Sequence, residues 1–318
     1  MYPKTEIAEI MRRTYHICLS NGDEVYCRDE EDYNYCFNSL AIAINETDSV
    51  LMADAIMSNH IHECVRTADP REVLLRQRYR YARYFNAKYD RRGRLGERFP
   101  FITEVHGINH LLALISYILR NPLHHGLVST PFAYPFSSIN TYFRKDLGRN
   151  SEHLLLLEEQ YYRHLPEHRK CPPGYRMDKN GLILREDVID TAEVEHHFGS
   201  PRTFLYFMNR LSGEEWIREQ EKDKEGRDQL ITLELIEKGV RGQSTQEMCQ
   251  NEYGRCRYDR MGDLEVCHLI DKTILPAIGR QSVYQLSPAE KVRLARDLCH
   301  EYRLPEDIVN RCLAIFHL

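Results

Sequence analysis

The stretch VLMADAIMSNHIHECV, residues 50–65, contains two short apolar segments separated by a turn-forming Ser-Asn pair. Val50–Ile56 and Ile61–Val65 have the composition of β-strands, and the pair between them favours a hairpin. Side chains along a strand alternate between the two faces of a sheet. The sequence therefore predicts that His60 and His62 project from the same face.

Short strands and helices alternate on both sides of this hairpin. Further strands are predicted at Tyr15–Leu19 and Phe99–Val105, and helices at Asp32–Ile44, Pro70–Tyr89 and Asn109–Arg120. The last helix is expected to stop at Asn121-Pro122, because proline lacks a backbone donor and restricts the residue before it. The order β-α-β-β-α-β-α predicts an α+β fold whose antiparallel sheet carries helices on one face.

The composition is that of a soluble globular protein. The 318 residues correspond to about two domains at roughly 150 residues each, and 42% of them are hydrophobic. We find no secretory signal and no apolar run of the roughly 18 residues that a membrane helix needs. Ten cysteines without C-x-x-C spacing favour free thiols. These features predict a cytoplasmic protein without a membrane partner.

The chain divides at a proline- and charge-rich stretch from His164 to Gly174. Residues 1–150 are expected to form the first domain, residues 151–230 a linker and partly helical region, and residues 231–318 a helical C-terminal domain. Its last two amphipathic helices, Ala289–Tyr302 and Glu306–Ile315, have the length and spacing of a degenerate helix-turn-helix. The second begins acidic, which favours the alternative that this region packs against the first domain or a partner.

Two imidazoles on one strand face can hold a divalent metal, although paired histidines are often only hydrogen-bonded. Tyr117 and Asn121 lie four apart on the predicted third helix and therefore share a side of it. They are interpreted as a phenolic nucleophile and an amide oxygen that completes a metal site, or alternatively as a rim aromatic and a capping residue. Mg²⁺ or Mn²⁺ with such ligands would polarise a phosphodiester for attack and a covalent phosphotyrosine.

At these residues the sequence resembles the HUH-type single-tyrosine transposases, and most of all their REP-associated tyrosine transposase branch. Two matched motifs are M-x-N-H-hydrophobic-H at residues 57–62 and Y-I-x-x-N-P at residues 117–122. Between them, a basic helix with Y-x-x-x-x-N is matched by Tyr81 and Asn86, and the Gly and R-F that follow it are matched by Gly93 and Arg98-Phe99. The last motif, P-x-x-Y-x-[WF]-S-S-x-x-x-Y, is matched by residues 131–142. The resemblance spans roughly residues 12–145. It departs from the family at Glu63, where an aliphatic residue is usual.

The resemblance implies a ferredoxin-like HUH nuclease domain that cleaves and rejoins single-stranded DNA, often beside a hairpin, through a covalent 5'-phosphotyrosine. It implies that Tyr117 is the nucleophile and that His60, His62 and Asn121 bind Mg²⁺ or Mn²⁺. The alternative is a domesticated DNA-hairpin-binding protein or regulator with little or no transposition activity. A replication initiator or relaxase fits less well, and a homodimer remains open.

Residues 71–98 contain ten lysines and arginines against three acidic residues, although the whole chain has a net charge of −5. Aromatic residues are interleaved with these cations, a pattern typical of single-strand binding. The predicted DNA-binding residues are Arg76, Arg78, Arg80, Arg83, Tyr84, Lys88, Arg91, Arg92, Arg94 and Arg98. The alternative is a solvated, charged helix face.

Overall fold

A four-stranded antiparallel sheet is the centre of the fold. The computed structural model describes residues 12–22, 24–149, 165, 171–209 and 261–315. The strands are β1 (Arg13–Ser20), β2 (Val50–Ile56), β3 (His60–Thr67) and β4 (Phe101–Glu104), in the spatial order β2-β3-β1-β4. Helix α1 (Glu30–Glu46) connects β1 to β2, α2 (Pro70–Tyr89) connects β3 to β4, and α3 (Gly107–His124) follows β4. The predicted α+β class with an antiparallel sheet is confirmed.

The helices lie on both faces of the sheet, so the prediction of helices on one face is wrong. Helix α2 covers the face to which Glu63 points, where Gln77 Nε2 donates to Glu63 Oε1 at 2.5 Å. The neighbouring His62 points the opposite way, towards Tyr117 of α3. Helix α3 is buried continuously from Ala113 to Pro122. A helix that is apolar on nearly all sides must be covered all round, and the sheet covers one side of it.

Glu63 is the position at which the sequence departs from the family it resembles. Its side chain is fully buried, and this burial raises its pKa to about 8. The hydrogen bond from Gln77 supplies a polar partner beneath α2. The helix therefore packs on the sheet without an aliphatic residue at this position.

Helix α3 extends to His124, three residues beyond the predicted stop at Asn121. Proline in a last helical turn removes one backbone donor but leaves its own carbonyl available. Leu127 N donates to the Pro122 carbonyl, and His125 N donates to the Asn121 carbonyl, both at 3.0 Å. The turn after the proline is therefore still closed.

The described part of the expected linker, residues 171–209, is packed against the sheet. It contains α4 (Arg185–Val188), α5 (Thr191–Phe198) and α6 (Pro201–Asn209). Arg185 forms a buried ion pair with Asp54 of β2, and Ile189 forms a parallel bridge with Leu51. The described residues of this region therefore pack on β2, and residues 210–260 lie outside the described residues.

The described C-terminal residues form a small helical unit. Helix α7 (Asp263–Leu269) continues through a π-helical stretch, Ile270–Ile274, into α8 (Leu275–Ala277), and α9 (Pro288–Glu301) and α10 (Glu306–Cys312) follow. Ser287 and Glu290 form a capping box at the start of α9. The core of this unit also contains Val25, which belongs to the loop between β1 and α1. The two domains therefore share apolar burial.

Arg28, in the same loop, attaches the C-terminal unit to the first domain. Its fully buried side chain donates from Nε and Nη2 to the two carboxylate oxygens of Asp271, each at 2.8 Å. Its Nη1 donates to the Cys312 carbonyl at 2.7 Å. Asp263 of α7 accepts from both Arg311 and Ser58, so α10 also lies at this interface. The described C-terminal residues therefore pack against the loop before α1 and against Ser58, and the helix-turn-helix stays a prediction.

Within the described residues, no helix has both the length and the apolar character needed to cross a membrane.

Replacing Arg28 with alanine should lower the free energy of unfolding by about 3 kcal/mol, because removing one partner of a buried ion pair leaves the other unpaired. Urea unfolding followed by circular dichroism would measure this change. Arg280→Ala is the matched control, since Arg280 and Glu290 form an exposed pair that should contribute less than about 1 kcal/mol. Equal reductions in the two variants would contradict the role of Arg28.

Candidate active site

Strand β3 brings His60 and His62 together on the sheet face that α3 covers. The pairs Ser20↔His60 and Cys18↔His62 set this strand against β1. The two imidazole rings lie edge to face with centroids 5.1 Å apart, and both side chains are almost completely buried. His60 and His62 therefore project from the same face of the strand, as predicted.

His60 lies between two amide oxygens, one at each ring nitrogen. Burial lowers its pKa to about 4, so the ring is neutral at pH 7 and carries one ring proton. Nδ1 lies 2.8 Å from Asn59 Oδ1, and Nε2 lies 3.1 Å from Asn121 Oδ1. Since each oxygen can only accept, the neutral ring donates to one of them and the other nitrogen keeps its lone pair.

His62 is oriented by a third histidine, His16 of β1. His62 Nδ1 and His16 Nε2 are hydrogen-bonded at 3.1 Å, and their rings are stacked. Burial lowers the pKa of His16 to about 3 and that of His62 well below its usual value, so both are neutral. His62 Nε2 is buried and has no hydrogen-bond partner among the described residues.

Helix α3 supplies Tyr117 and Asn121 to the same place, one turn apart as predicted. The Tyr117 ring contacts His62 edge to face, with centroids 5.2 Å apart. Asn121 contacts His60 through Oδ1, and its Nδ2 has no hydrogen-bond partner within the described ranges. Both side chains are buried, with Tyr117 5% exposed, so neither lies on an open polar side of the helix.

Two more histidines at the end of α3 complete the cluster. The His125 ring lies 5.0 Å from that of His60, and the His124 ring is stacked 6.2 Å from that of Tyr117. Burial lowers the pKa of His124 to about 4 and that of His125 well below its usual value. The site is therefore lined by uncharged imidazoles, the form that binds metals.

The residues present can hold a small divalent cation. Two adjacent ligands, each about 2.1 Å from an octahedral ion, lie roughly 3 Å apart, and His60 Nε2 and Asn121 Oδ1 are 3.1 Å apart. His62 Nε2 offers a third lone pair. In the part of the chain that the structure describes, no three His, Cys, Asp or Glu side chains are grouped as a metal site. A cation here would thus depend on the amide oxygen of Asn121.

Most of the predicted DNA-binding residues are engaged within the protein. The ion pairs join Arg76 and Arg80 to Glu46, Lys88 to Asp29 and Asp32, and Arg91 to Glu24. Arg78 donates to the carbonyls of Leu95 and Glu97. Tyr84 is stacked on Tyr35 and donates to Asp32. The charge of the helical part of the segment is therefore largely balanced by neighbouring carboxylates.

The remaining cations are exposed. Arg83 lies over the Tyr79 ring, and Arg98 lies over the ring of Phe99, which is 73% exposed. Arg92, Arg94 and Arg98 form no ion pair with any described residue. Glu97 N donates to the carbonyl of Ser20, the residue that pairs with His60. This basic loop therefore lies two strand spacings, roughly 10 Å, from the backbone of His60.

The sequence interpretation did not assign His16, Asn59, His124 and His125 to the site. His16 had a usable signal, because alternation along β1 places it on one face, but only the β1–β3 register shows that this is the face of His62. Asn59 and the two histidines after Pro122 lay inside the motif region. Their roles depend on contacts between elements and not on spacing.

Comparison with known proteins gives a structural likeness but no family match. No family model matches the chain, and no curated protein matches it. Among solved structures, it is similar to a REP-associated tyrosine transposase bound to a REP hairpin, with 14% sequence identity and a TM-score of 0.36. The match covers 43% of this chain and 80% of the other.

Proposed function

We propose that the protein is a transposase of the HUH single-tyrosine type, which cleaves and rejoins single-stranded DNA through Tyr117. The observation that carries this proposal is the convergence of His60, His62, Tyr117 and Asn121 on one buried face. The strand order β2-β3-β1-β4 with β-α-β-β-α-β connections supports a ferredoxin-like domain of that class.

The proposed reaction exchanges one phosphodiester for another. The Tyr117 oxygen forms a bond to the scissile phosphorus while the bond to the 3' oxygen breaks, and the proton of the phenol ends on the released 3'-hydroxyl. The 5' end remains attached to the tyrosine as a phosphodiester, which conserves the bond for rejoining by a second 3'-hydroxyl. Because the imidazoles around Tyr117 are neutral, they add no negative charge that would repel the phosphate.

We propose Mg²⁺ or Mn²⁺ as the cofactor, bound by His60, His62 and Asn121. When bound, the ion would withdraw charge from the phosphate oxygens and neutralise the charge that develops during attack. In the proposed site, His16 and Asn59 would hold the two histidines in the tautomers that leave Nε2 free for the ion. The proposal thus includes both the ligands and the residues that would orient them.

We propose that the DNA strand reaches the site along the basic loop that contains Arg92, Arg94 and Arg98. This loop is exposed and lies at the end of the sheet where β3 begins. Cations that track phosphates, with an aromatic ring such as Phe99 for stacking, are the usual means of binding a single strand. The ion-paired residues of α2 contribute less to this path.

One observation favours the second candidate, a DNA-hairpin-binding protein without strand transfer. Tyr117 is only 5% exposed, so DNA can reach its hydroxyl only after neighbouring groups move. Binding alone would not require that movement. The two functions differ in whether a covalent bond to Tyr117 forms.

Tyr117→Phe should reduce covalent adduct formation to background, because the nucleophilic oxygen is removed. The substrate is a pool of hairpin oligonucleotides with randomised single-stranded flanks, incubated with Mn²⁺ and separated in denaturing gels. Tyr79→Phe on α2 is the matched control and should retain the adduct. An adduct in Tyr117→Phe would exclude this nucleophile, and hairpin binding in EDTA without any adduct in the parent protein would favour the second candidate.

His16→Phe should weaken Mn²⁺ binding about 10- to 100-fold, because His62 loses the partner that fixes its tautomer. Isothermal titration of the purified protein would measure the affinity. His16→Gln, which keeps a hydrogen-bonding side chain, should recover part of the affinity, and His106→Phe, at an exposed position, should leave it unchanged. If His16→Phe binds Mn²⁺ like the parent, His62 is not held as a ligand by this contact.

Arg94→Gln combined with Arg98→Gln should make the DNA affinity less dependent on salt, lowering the logarithmic slope by about 0.7 for each phosphate that the protein no longer neutralises. Fluorescence anisotropy with a labelled single strand at several salt concentrations would give the slope. Arg76→Gln is the control, since this residue is paired with Glu46 and Glu72 and should leave the slope unchanged. A larger decrease in the slope for Arg76→Gln would indicate that the DNA strand binds along α2 and not along the basic loop.

A further inference from the structure

A cavity of about 350 Å³ lies between the first domain and the C-terminal unit, directly beside His60. Residues 57–60, 125–128 and 134–136 form its wall on the first domain. Residues 261–265 and the start of α10 form the opposite wall. The volume lies within the range of small-ligand sites, roughly 300 to 1,000 Å³.

The first-domain wall contains three aromatic residues. Tyr33 and Phe136 are stacked with ring centroids 3.8 Å apart and an interplanar angle of 12°, and Tyr134 meets Phe136 edge to face. All three residues border the cavity, where Phe136 is half-buried and the two tyrosines are buried. The ring of Phe136 is therefore the surface against which a planar ligand would pack.

The opposite wall is acidic. It contributes Asp263, Glu265 and Asp307 against one cation, Arg311, which already binds Asp263 through Nε and Nη2 at 2.8 Å. Asp263 is itself only 8% exposed and also accepts from Ser58. Carboxylates repel phosphate but accept hydrogen bonds from amino groups. The wall therefore suits an uncharged ligand that donates hydrogen bonds.

We propose that this cavity binds one unpaired base of the DNA strand next to the cleaved phosphate, and that it prefers a base with an exocyclic amino group. The base would pack against the aromatic wall and donate its amino hydrogens to the acidic wall, as carboxylates accept from the amino group of cytosine. Its phosphate would remain on the side of His60. The inference rests on the proposed function, and it gives the C-terminal unit a role in selecting the cleavage site.

Fluorescein-labelled 12-mers of deoxycytidine and of deoxyuridine test this preference. Uracil differs from cytosine only in a 4-oxo group that replaces the 4-amino group and in a proton on N3. Anisotropy titrations with the full chain in EDTA should show about tenfold tighter binding of the cytosine strand. Leu127→Trp should abolish the difference by filling the cavity, since the half-exposed Leu127 lines it and its Cδ2 lies 3.9 Å from the position that a Cβ of Gly262 would take. Ile278→Trp, exposed on the same unit, is the matched control and should retain the difference.

A second variant tests the chemistry of the cavity and not its volume. Glu265→Gln combined with Asp307→Asn should reduce the preference for cytosine while the uridine strand binds as before. Equal binding of the two strands by the parent protein, or an unchanged preference in Leu127→Trp, overturns the proposal. If the protein prefers the cytosine strand but forms no covalent adduct with DNA, strand transfer is rejected and the cavity proposal stands. If it forms the adduct but shows no preference for cytosine, the cavity proposal is rejected and strand transfer stands. Binding of neither strand would overturn both proposals.

Discussion

The candidate active site depends on the register of β3 between its two neighbours. His62 pairs with Cys18 of β1 on one side and with Ala55 of β2 on the other. A slip of one residue would exchange the faces and turn both histidines towards α1 and α2. Glu63 and His60 oppose that slip, because their buried side chains are hydrogen-bonded to Gln77 on one face and to Asn121 on the other, and a slip would leave them without these partners. Polar contacts on both faces therefore hold the register that positions the histidines.

Local signals predicted the elements well, and contacts between elements explain what was missed. Helix α2 has the bounds that the sequence indicates, because Asp69 caps its start beside Pro70 and Asp90 ends it in the left-handed conformation. The position of α3 on the second face could not be predicted from periodicity, since its nearly all-round burial depends on the packed segment 171–209. His60, His62, Tyr117 and Asn121 could be proposed from spacing and resemblance. The orienting role of His16 required the register between two strands that are far apart in the sequence.

Counting charge along the chain overestimated how much of the basic segment is available to DNA. Glu24, Asp29, Asp32 and Glu46 come from residues before the hairpin and balance the cations of α2 only after folding. Exposed ion pairs add little stability, but they reduce the positive potential that attracts phosphates. Arg92, Arg94 and Arg98 of the basic loop after α2 have no such neighbours in the described structure, and the loop lies roughly 10 Å from the backbone of His60. The cations available for nucleic acid are therefore concentrated at the end of the sheet where His60 begins.

The motifs that support the family resemblance serve two different purposes. Tyr134 and Tyr142 donate to the carbonyls of Ile56 and Met52, so the segment 131–142 covers the outer edge of β2. Any protein with this sheet needs such cover, whether or not it cleaves DNA, and these residues do not discriminate between the two candidate functions. The site residues bear on the proposed cofactor, because burying His62 Nε2 without a hydrogen-bond partner among the described residues costs about 1 to 3 kcal/mol. A bound cation would offset that cost, which supports the proposed metal site, whereas strand transfer and binding alone differ in whether a covalent bond to Tyr117 forms.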